Sequence, residues 1–315
     1  MQEFTLKVPL EQNPTRLDLF LTDFFEKKKL GFSRVFIQEL IRNGNVTLEN
    51  IKVLKPHLKT KVNDEFRILI EDKELLTLKA ENIPLEIVYE DDDLAIINKQ
   101  TGIVVHPAPG NNEHTLVNAL MHHFKKLSDI NPQRPGIVHR LDKETSGLLV
   151  IAKNNFSHLA LAGQFAKHTI NREYIAVVNG KMEFDENIIE LPIARHPVKR
   201  KMMAVSFSEE AKYAKTYYRT LRRAEDFSLL EIKPFTGRTH QIRVHLSSLG
   251  HPILGDEKYG KPPKLDRLYL HAKSVGFTHP STEKYIEFSS DIPKEFKKFM
   301  LTPAKTEHRK GKKVS

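Results

Sequence analysis

The chain has 315 residues, a formal charge of +10 and no cysteine, which gives room for one sizeable core plus a smaller module and excludes disulfides and thiolate chemistry. No apolar run approaches the roughly 20 residues of a membrane span, and Met1 to Leu10 lacks the basic start and apolar core of a signal peptide. A soluble cytoplasmic protein with no membrane association is expected.

Residues 294–315 hold eight Lys or Arg against two Glu, so most of the surplus charge is terminal. The body carries only local basic clusters, Arg195 to Lys201 and Arg219 to Arg223. Such patches suit phosphate contacts, and a solvated polar face explains each one equally well.

Residues 1–72 read as a small module of two helices and short strands. Asn13 suits an N-cap with Pro14 at the first helical position, and Leu17, Phe20, Leu21, Phe24 and Phe25 recur at helical spacing. A second helix is expected from Ser33 as N-cap to Asn43-Gly44, with Phe36, Ile37, Leu40 and Ile41 turned inward. Arg34, Gln38 and Arg42, four residues apart, share a stripe on its other side. Val46 to Leu48, Ile51 to Leu54 and Phe66 to Ile70 read as strands around turns at Glu49-Asn50 and Asn63-Asp64. Residues 73–84 are polar, weakly patterned and expected to be a linker.

From residue 85 a larger core begins. Leu85 to Tyr89 and Leu94 to Lys99 read as a hairpin, and Leu116 to Phe124 as a helix. The stretch Gly136-Ile-Val-His139-Arg140-Leu-Asp142-Lys-Glu-Thr145-Ser146-Gly147 is a charged loop that feeds into Leu148 to Ala152, an apolar run without alternation that predicts a buried strand. Gly147 marks the corner, and Thr145 and Ser146 can satisfy the turn's amides. Such a corner would hold Asp142 rigidly; a loop ion pair with Arg140 also fits.

Phe156 to Phe165 predicts a helix, and Arg172 to Gly180 a strand carrying Tyr174, which packing alone would explain. Ala214 to Arg222 and Phe227 to Lys233 form a second expected hairpin. The run Gly237-Arg238-Thr239-His240-Gln241-Ile242-Arg243 opens a helix that buries Ile242, Leu246 and Leu249 and ends at Gly250. His240 and His245 share no helical face and have no acid at ligand spacing, so no metal site is expected. Residues 85–300 should form an α+β catalytic domain with a central, largely antiparallel mixed sheet flanked by helices and loops. Residues 301–315 read as a basic disordered tail.

The segment HRLDKETSGLLVIAK resembles the signature of the RluA branch of the pseudouridine synthases, and the tyrosine strand, the HQIR helix and the run around Leu268 to Ala272 are similar to further segments of that family. The N-terminal module resembles the alpha-L RNA-binding domain shared with the fourth small-subunit ribosomal protein, with Asn50-Ile51-Lys52 and Asn63-Asp64 departing from its usual turns. The resemblance implies isomerisation of uridine to pseudouridine in RNA, with Asp142 as the catalytic group beside Tyr174 and Arg243. It implies RNA as partner, large-subunit ribosomal RNA first and transfer RNA second, with RNA contacts from Arg34, Gln38, Arg42, His139, Arg140, Arg238 and His240. A monomer without cofactor or metal is expected.

The chemistry explains why such residues are wanted. The bond from uracil N1 to ribose C1′ breaks, the base turns while captive, and C5 joins C1′. A carboxylate can attack or stabilise the electron-poor sugar carbon, as in glycosidases. A guanidinium within a few ångströms favours a carboxyl's charged form, a tyrosine can close over the base or accept the C5 proton, and the base must first leave its stack. A non-catalytic ribosome-assembly factor would use the same surfaces, and a glycosidase would need a second acid.

Overall fold

The apolar run Leu148–Ala152 lies inside a strand whose seven residues are all buried, as a strand without a polar face requires. In the computed structural model, which describes residues 2–11, 14–28, 32, 34–70, 78–107, 113–260 and 265–301, the chain divides into two units. One holds residues up to Leu78 together with Ile130–Gln133, and the other takes Lys79–Asp129 and continues from Arg134.

The first unit contains β1 (Gln2–Lys7), α1 (Leu17–Lys27), α2 (Arg34–Arg42), β2 (Val46–Leu48), β3 (Ile51–Lys52) and β4 (Glu65–Ile70). Its sheet runs β1-β4-β2-β3, antiparallel throughout. Leu17, Leu21 and Phe25 of α1 meet Ile37 and Ile41 of α2 over Phe66 and Ile68. Pro14 does not open α1. Thr15 and Arg16 instead run extended against Lys59 and Thr60, and the amides of Leu17 and Asp18 donate to the carbonyls of Leu58 and Pro56, so the helix starts three residues later. The expected caps Asn13 and Ser33 lie outside the described residues. The positive φ values of the hairpin fall on Glu49 and Asn50, which leaves Ile51 unstrained in β3, and Asn63 takes the other left-handed turn.

The second unit contains β5 (Ile87–Glu90), β6 (Leu94–Lys99), α3 (Leu116–His123), β7 (Ser146–Ala152), α4 (Asn155–Ala166), β8 (Asn171–Asn179), β9 (Glu186–Glu190), β10 (Ile193–Arg195), β11 (Met203–Val205), β12 (Lys215–Arg223), β13 (Phe227–Pro234), α5 (Gln241–Ser248), β14 (Leu270–Thr278), β15 (Tyr285–Ser289) and α6 (Lys297–Leu301). Nine strands form one sheet in the order β5-β6-β7-β14-β8-β13-β12-β9, with β15 beside β14. Among the described residues only β7 and β14 pair in parallel, at two residues, so the mixed, largely antiparallel α+β class holds. Beyond those residues β15 takes over the same edge of β14.

Sequence patterning misses β1, β9, β14, β15 and the β10–β11 ribbon. The ribbon strands have three residues each, too few for an alternation to register. Leu249 is also not buried. It follows the last helical residue and is 40% exposed, while Gln241 to Leu246 are buried all round, because α5 packs between the sheet and the ribbon. Gly250, at φ +83°, ends the helix as expected. Among the described residues no helix is long and apolar enough to cross a membrane.

Candidate active site

The loop His139–Thr145 enters β7 through Gly147, whose φ is +113°. A Cβ there would fall 2.2 Å from the carbonyl oxygen of Ala272. Only glycine lets β7 approach β14 this closely, and the approach fixes where the Asp142 loop begins. Thr145 N donates to Asp142 O at 3.2 Å, closing the turn. Ser146 does not cap that turn. Its hydroxyl lies 2.9 Å from His271 Nδ1 and accepts from Arg267 Nη2 at 2.5 Å, tying the corner to β14.

Lys99, at the end of β6, supports the loop from below. Its Nζ donates to the carbonyls of Gln100, Ile103 and Lys143 at 2.9, 3.0 and 3.1 Å, with 2% of the residue exposed. Burial pulls its pKa down to about 7, against the pull of Asp142 and Glu144. Gly102 N and the Thr101 hydroxyl donate to the carbonyls of Lys143 and Glu144. The sequence marks this residue only as a lysine closing an apolar strand.

Arg243 projects from the first turn of α5. Gln241 pins the preceding loop: its Oε1 accepts from the Thr236 hydroxyl and Arg238 N, and its Nε2 donates to Lys215 O and the Thr216 hydroxyl. Arg243 Nε and Nη2 each donate to Asp256 at 2.8 Å, a bidentate pair with both side chains almost fully buried. Nη1 is left for Asp142 Oδ2 and Glu144 Oε2, both at 3.2 Å. Burial opposes the guanidinium's charge, but Asp256, Asp142 and Glu144 outweigh it and raise its pKa. The loop ion pair of Asp142 with Arg140 does not form; Asp142, like Glu144, turns to Arg243.

His240 precedes α5 with φ 56° and ψ 20°, a left-handed conformation that costs a non-glycine residue of order 1–3 kcal/mol. Its Nδ1 lies 2.7 Å from the Tyr259 hydroxyl and its Nε2 lies 4.0 Å from Asp142 Oδ1. The Arg243 guanidinium sits over the Tyr259 ring, 5.4 Å from its centre. Asp256, Tyr259 and Lys99 are supports that residue patterning does not reveal as such. Asp256 and Tyr259 carry a signal only in the run Gly255-Asp256-Glu-Lys-Tyr259.

Asp142, His240, Gln241 and Arg243 line a cavity of about 550 Å³ that also takes in Tyr174, Arg172, His139, Arg140 and Arg238. That size suits a nucleoside. Asp142 keeps 17% of its side chain exposed. Tyr174 is 8% exposed, and burial and then Asp142 push its pKa up, with Arg172 opposing. Arg172, two residues along the same strand and so on the same face, donates Nη2 to Pro234 O at 3.2 Å.

His139 is committed inward: its ring stacks on Phe165 at 4.4 Å, its Nε2 accepts from Val150 N at 2.9 Å, and burial, aided by Arg172, takes its pKa down to about 3. Arg140 stays exposed on the cavity wall, and Arg238 donates Nε to Tyr213 O. His245 lies apart, between Thr216 and Leu191.

Arg34, Gln38 and Arg42 belong to the first unit. Arg34 and Gln38 donate to the buried Asp18, whose pKa falls to about 2 as these two and Arg16 overcome burial; Arg42 is exposed. Among the described residues, one group of acids and histidine has metal-ligand proximity, Asp91, Asp93 and His279. Its oxygens are occupied by backbone amides, Asn154, Ser157, Ser281 and His279 itself.

The profile of the RNA pseudouridylate synthase family matches residues 93–248, which span both the Asp142 loop and α5. An uncharacterized RNA pseudouridine synthase of Aquifex aeolicus (strain VF5) is 43% identical over 305 residues, covering 93% of this chain and 95% of that protein. Ribosomal large subunit pseudouridine synthase D of Zymomonas mobilis subsp. mobilis is 41% identical over 304 residues, covering 91% and 94%. Among solved structures, human RNA pseudouridylate synthase domain containing 1 superposes with a TM-score of 0.57 at 26% identity, over 67% of this chain and 85% of that one. Matched along nearly its whole length by such relatives, the chain belongs to the RNA pseudouridylate synthase family.

Proposed function

We propose that this enzyme isomerises uridines in large-subunit ribosomal RNA, with Asp142 acting at ribose C1′ of a nucleotide turned into the cavity. The observation that carries the reading is the Arg243–Asp142 pair, 3.2 Å long, on the wall of a nucleoside-sized cavity. Ribosomal RNA is favoured over transfer RNA because relatives matched over nearly their full length are named for the large ribosomal subunit.

Arg243 is the orienting cation. With Asp256 holding two of its nitrogens, the third can reach Asp142 in one place only, which fixes the carboxylate against the sugar. Uracil leaves as a delocalised anion, so one acid suffices. Tyr174 serves as a wall over the base: a phenol whose pKa burial pushes up is a poor acceptor for the C5 proton at neutral pH. Arg140, exposed on the rim, stacks in the gap that the extruded base leaves. Residues 1–72 form the alpha-L RNA-binding module, 73–84 the linker, 85–300 the catalytic domain and 301–315 a basic tail. The enzyme is read as a monomer, and its RNA substrate supports a cytoplasmic location.

Pseudouridine mapping in ribosomal RNA treated with the wild type and with Asp142→Asn tests the reading. The variant should bind RNA with the same salt dependence and form no product. Equal product from both proteins would remove Asp142 from its role, and product in transfer RNA alone would reassign the substrate.

A further inference from the structure

Asp142 and Arg243 serve the sugar, and on the reading just given the departing base still lacks a partner for its charge. Several polar groups of the cavity are committed. Arg243 donates to three carboxylates, Arg238 Nε donates to Tyr213 O, and Arg172 Nη2 donates to Pro234 O, although its buried Nε has no partner.

His240 differs. The Tyr259 hydroxyl oxygen accepts from Met203 N at 2.8 Å and lies 2.7 Å from His240 Nδ1. We take the phenol to donate to Nδ1, which puts the hydrogen of the neutral ring on Nε2. The ring stays neutral because burial lowers its pKa, although Asp142 pulls the other way. Nε2 faces the cavity with Asp142 Oδ1 at 4.0 Å, too far for a hydrogen bond. In that tautomer Nε2 is a donor with no hydrogen-bond partner among the described residues, on a residue held at a strained left-handed φ, the kind of strain that proteins keep at working positions.

We propose that His240 donates its Nε2 hydrogen to the uracil ring as the bond from N1 to C1′ breaks, stabilising the negative charge that the leaving base acquires. The bonding pair stays on N1 and spreads to O2 and O4, C1′ is left electron-poor before Asp142, and the imidazole gives a hydrogen bond without losing its proton. A preorganised donor of this kind acts where charge develops and not on the ground state. His240 then belongs to the chemistry, beyond the RNA contact expected from sequence.

The test compares wild type, His240→Ala, His240→Asn and Tyr259→Phe in steady-state conversion of a target RNA, and repeats the Ala variant on RNA with 5-fluorouridine at the target, read as cleavage of the glycosidic bond. His240→Ala should lower kcat about 100-fold with little change in KM. His240→Asn, which keeps a donor, should recover part of the rate, and Tyr259→Phe, which frees the tautomer, should lose part of it. The Ala deficit should shrink on 5-fluorouridine, whose base leaves as a less basic anion.

A raised KM with kcat intact, or equal deficits on both bases, would overturn the donor role while leaving the enzyme's function standing. A wild type that forms no pseudouridine would instead remove the reading on which the proposal rests. Should the Ala variant fail to fold, the Asn and Phe variants decide alone: unchanged rates in both would overturn it.

Discussion

Arg243 meets Asp256 through two parallel hydrogen bonds of 2.8 Å, on side chains that are 2% and 0% exposed. Its bond to Asp142 is single and longer, at 3.2 Å. The strong pair therefore sets where the guanidinium sits, and the weaker one transmits that position to the Asp142 loop. Asp256→Asn keeps the shape but removes the charge. Breaking one side of a buried pair costs about 3–5 kcal/mol, here softened because Asp142 and Glu144 still face the cation. Urea unfolding should show a loss at the low end of that range, and kcat should fall more than KM rises, since orientation and not RNA affinity is lost. An unchanged kcat would show that Arg243 needs no anchor.

Lys99 offers a separate test of loop support. Lys99→Met keeps most of the volume and takes the Nζ donor from the carbonyls of Gln100, Ile103 and Lys143, of which Lys143 O keeps its bond from Gly102 N. Each buried acceptor left alone costs about 1–3 kcal/mol. The variant should lose stability and lose kcat together, with RNA affinity nearly retained. A variant as active as the wild type would mean that the contacts of Gly102 and Thr101 hold the loop unaided.

The parts of this site that the sequence discloses are those with a local pattern. Leu148 to Ala152 has no polar alternation, so its burial on both faces is readable from the chain. Asp142, Tyr174 and Arg243 sit in segments similar to one family, and the cavity brings all three together. Periodicity, however, assigns a face and not a partner. The Arg34 and Gln38 stripe faces away from its helix's apolar side as expected, yet its donors are directed at Asp18 on the neighbouring helix. His139 sits in a charged loop, but a backbone amide of β7 claims its Nε2. Nothing in the spacing of residues 243, 256 and 259 announces that tertiary packing will stack an arginine between an acid and a phenol.

Buried histidines make stability depend on acid. Burial, with arginines nearby, lowers the pKa values of His106 and His271 to about 4, below the ordinary 6.5. Between those limits the unfolded chain holds more protons than the folded one, so stability rises with pH and falls as pH drops from 6.5 toward 4. Each group within its window contributes a slope of about 1.4 kcal/mol per pH unit. Urea midpoints measured from pH 7.5 down to 4.5 should decline, and His271→Gln should flatten the decline even if it lowers the starting value. A parallel decline in the variant would show that His271 takes no part.

Gly147 links the fold to the site most directly. The Cβ of an alanine there would lie 2.2 Å from the oxygen and 2.6 Å from the nitrogen of Ala272, backbone atoms held by pairing of β14 on both sides. The φ of +113° adds strain that an L side chain cannot relieve. Gly147→Ala should therefore cost at least about 3 kcal/mol, combining overlap with backbone strain, and should displace the Asp142 loop in whatever fraction still folds. Adding Ala272→Gly should not rescue it, because the collision is with main-chain atoms that glycine keeps. Full recovery in the double variant, by thermal unfolding and by pseudouridine yield, would show that side-chain crowding and not the parallel strand contact sets the requirement for glycine.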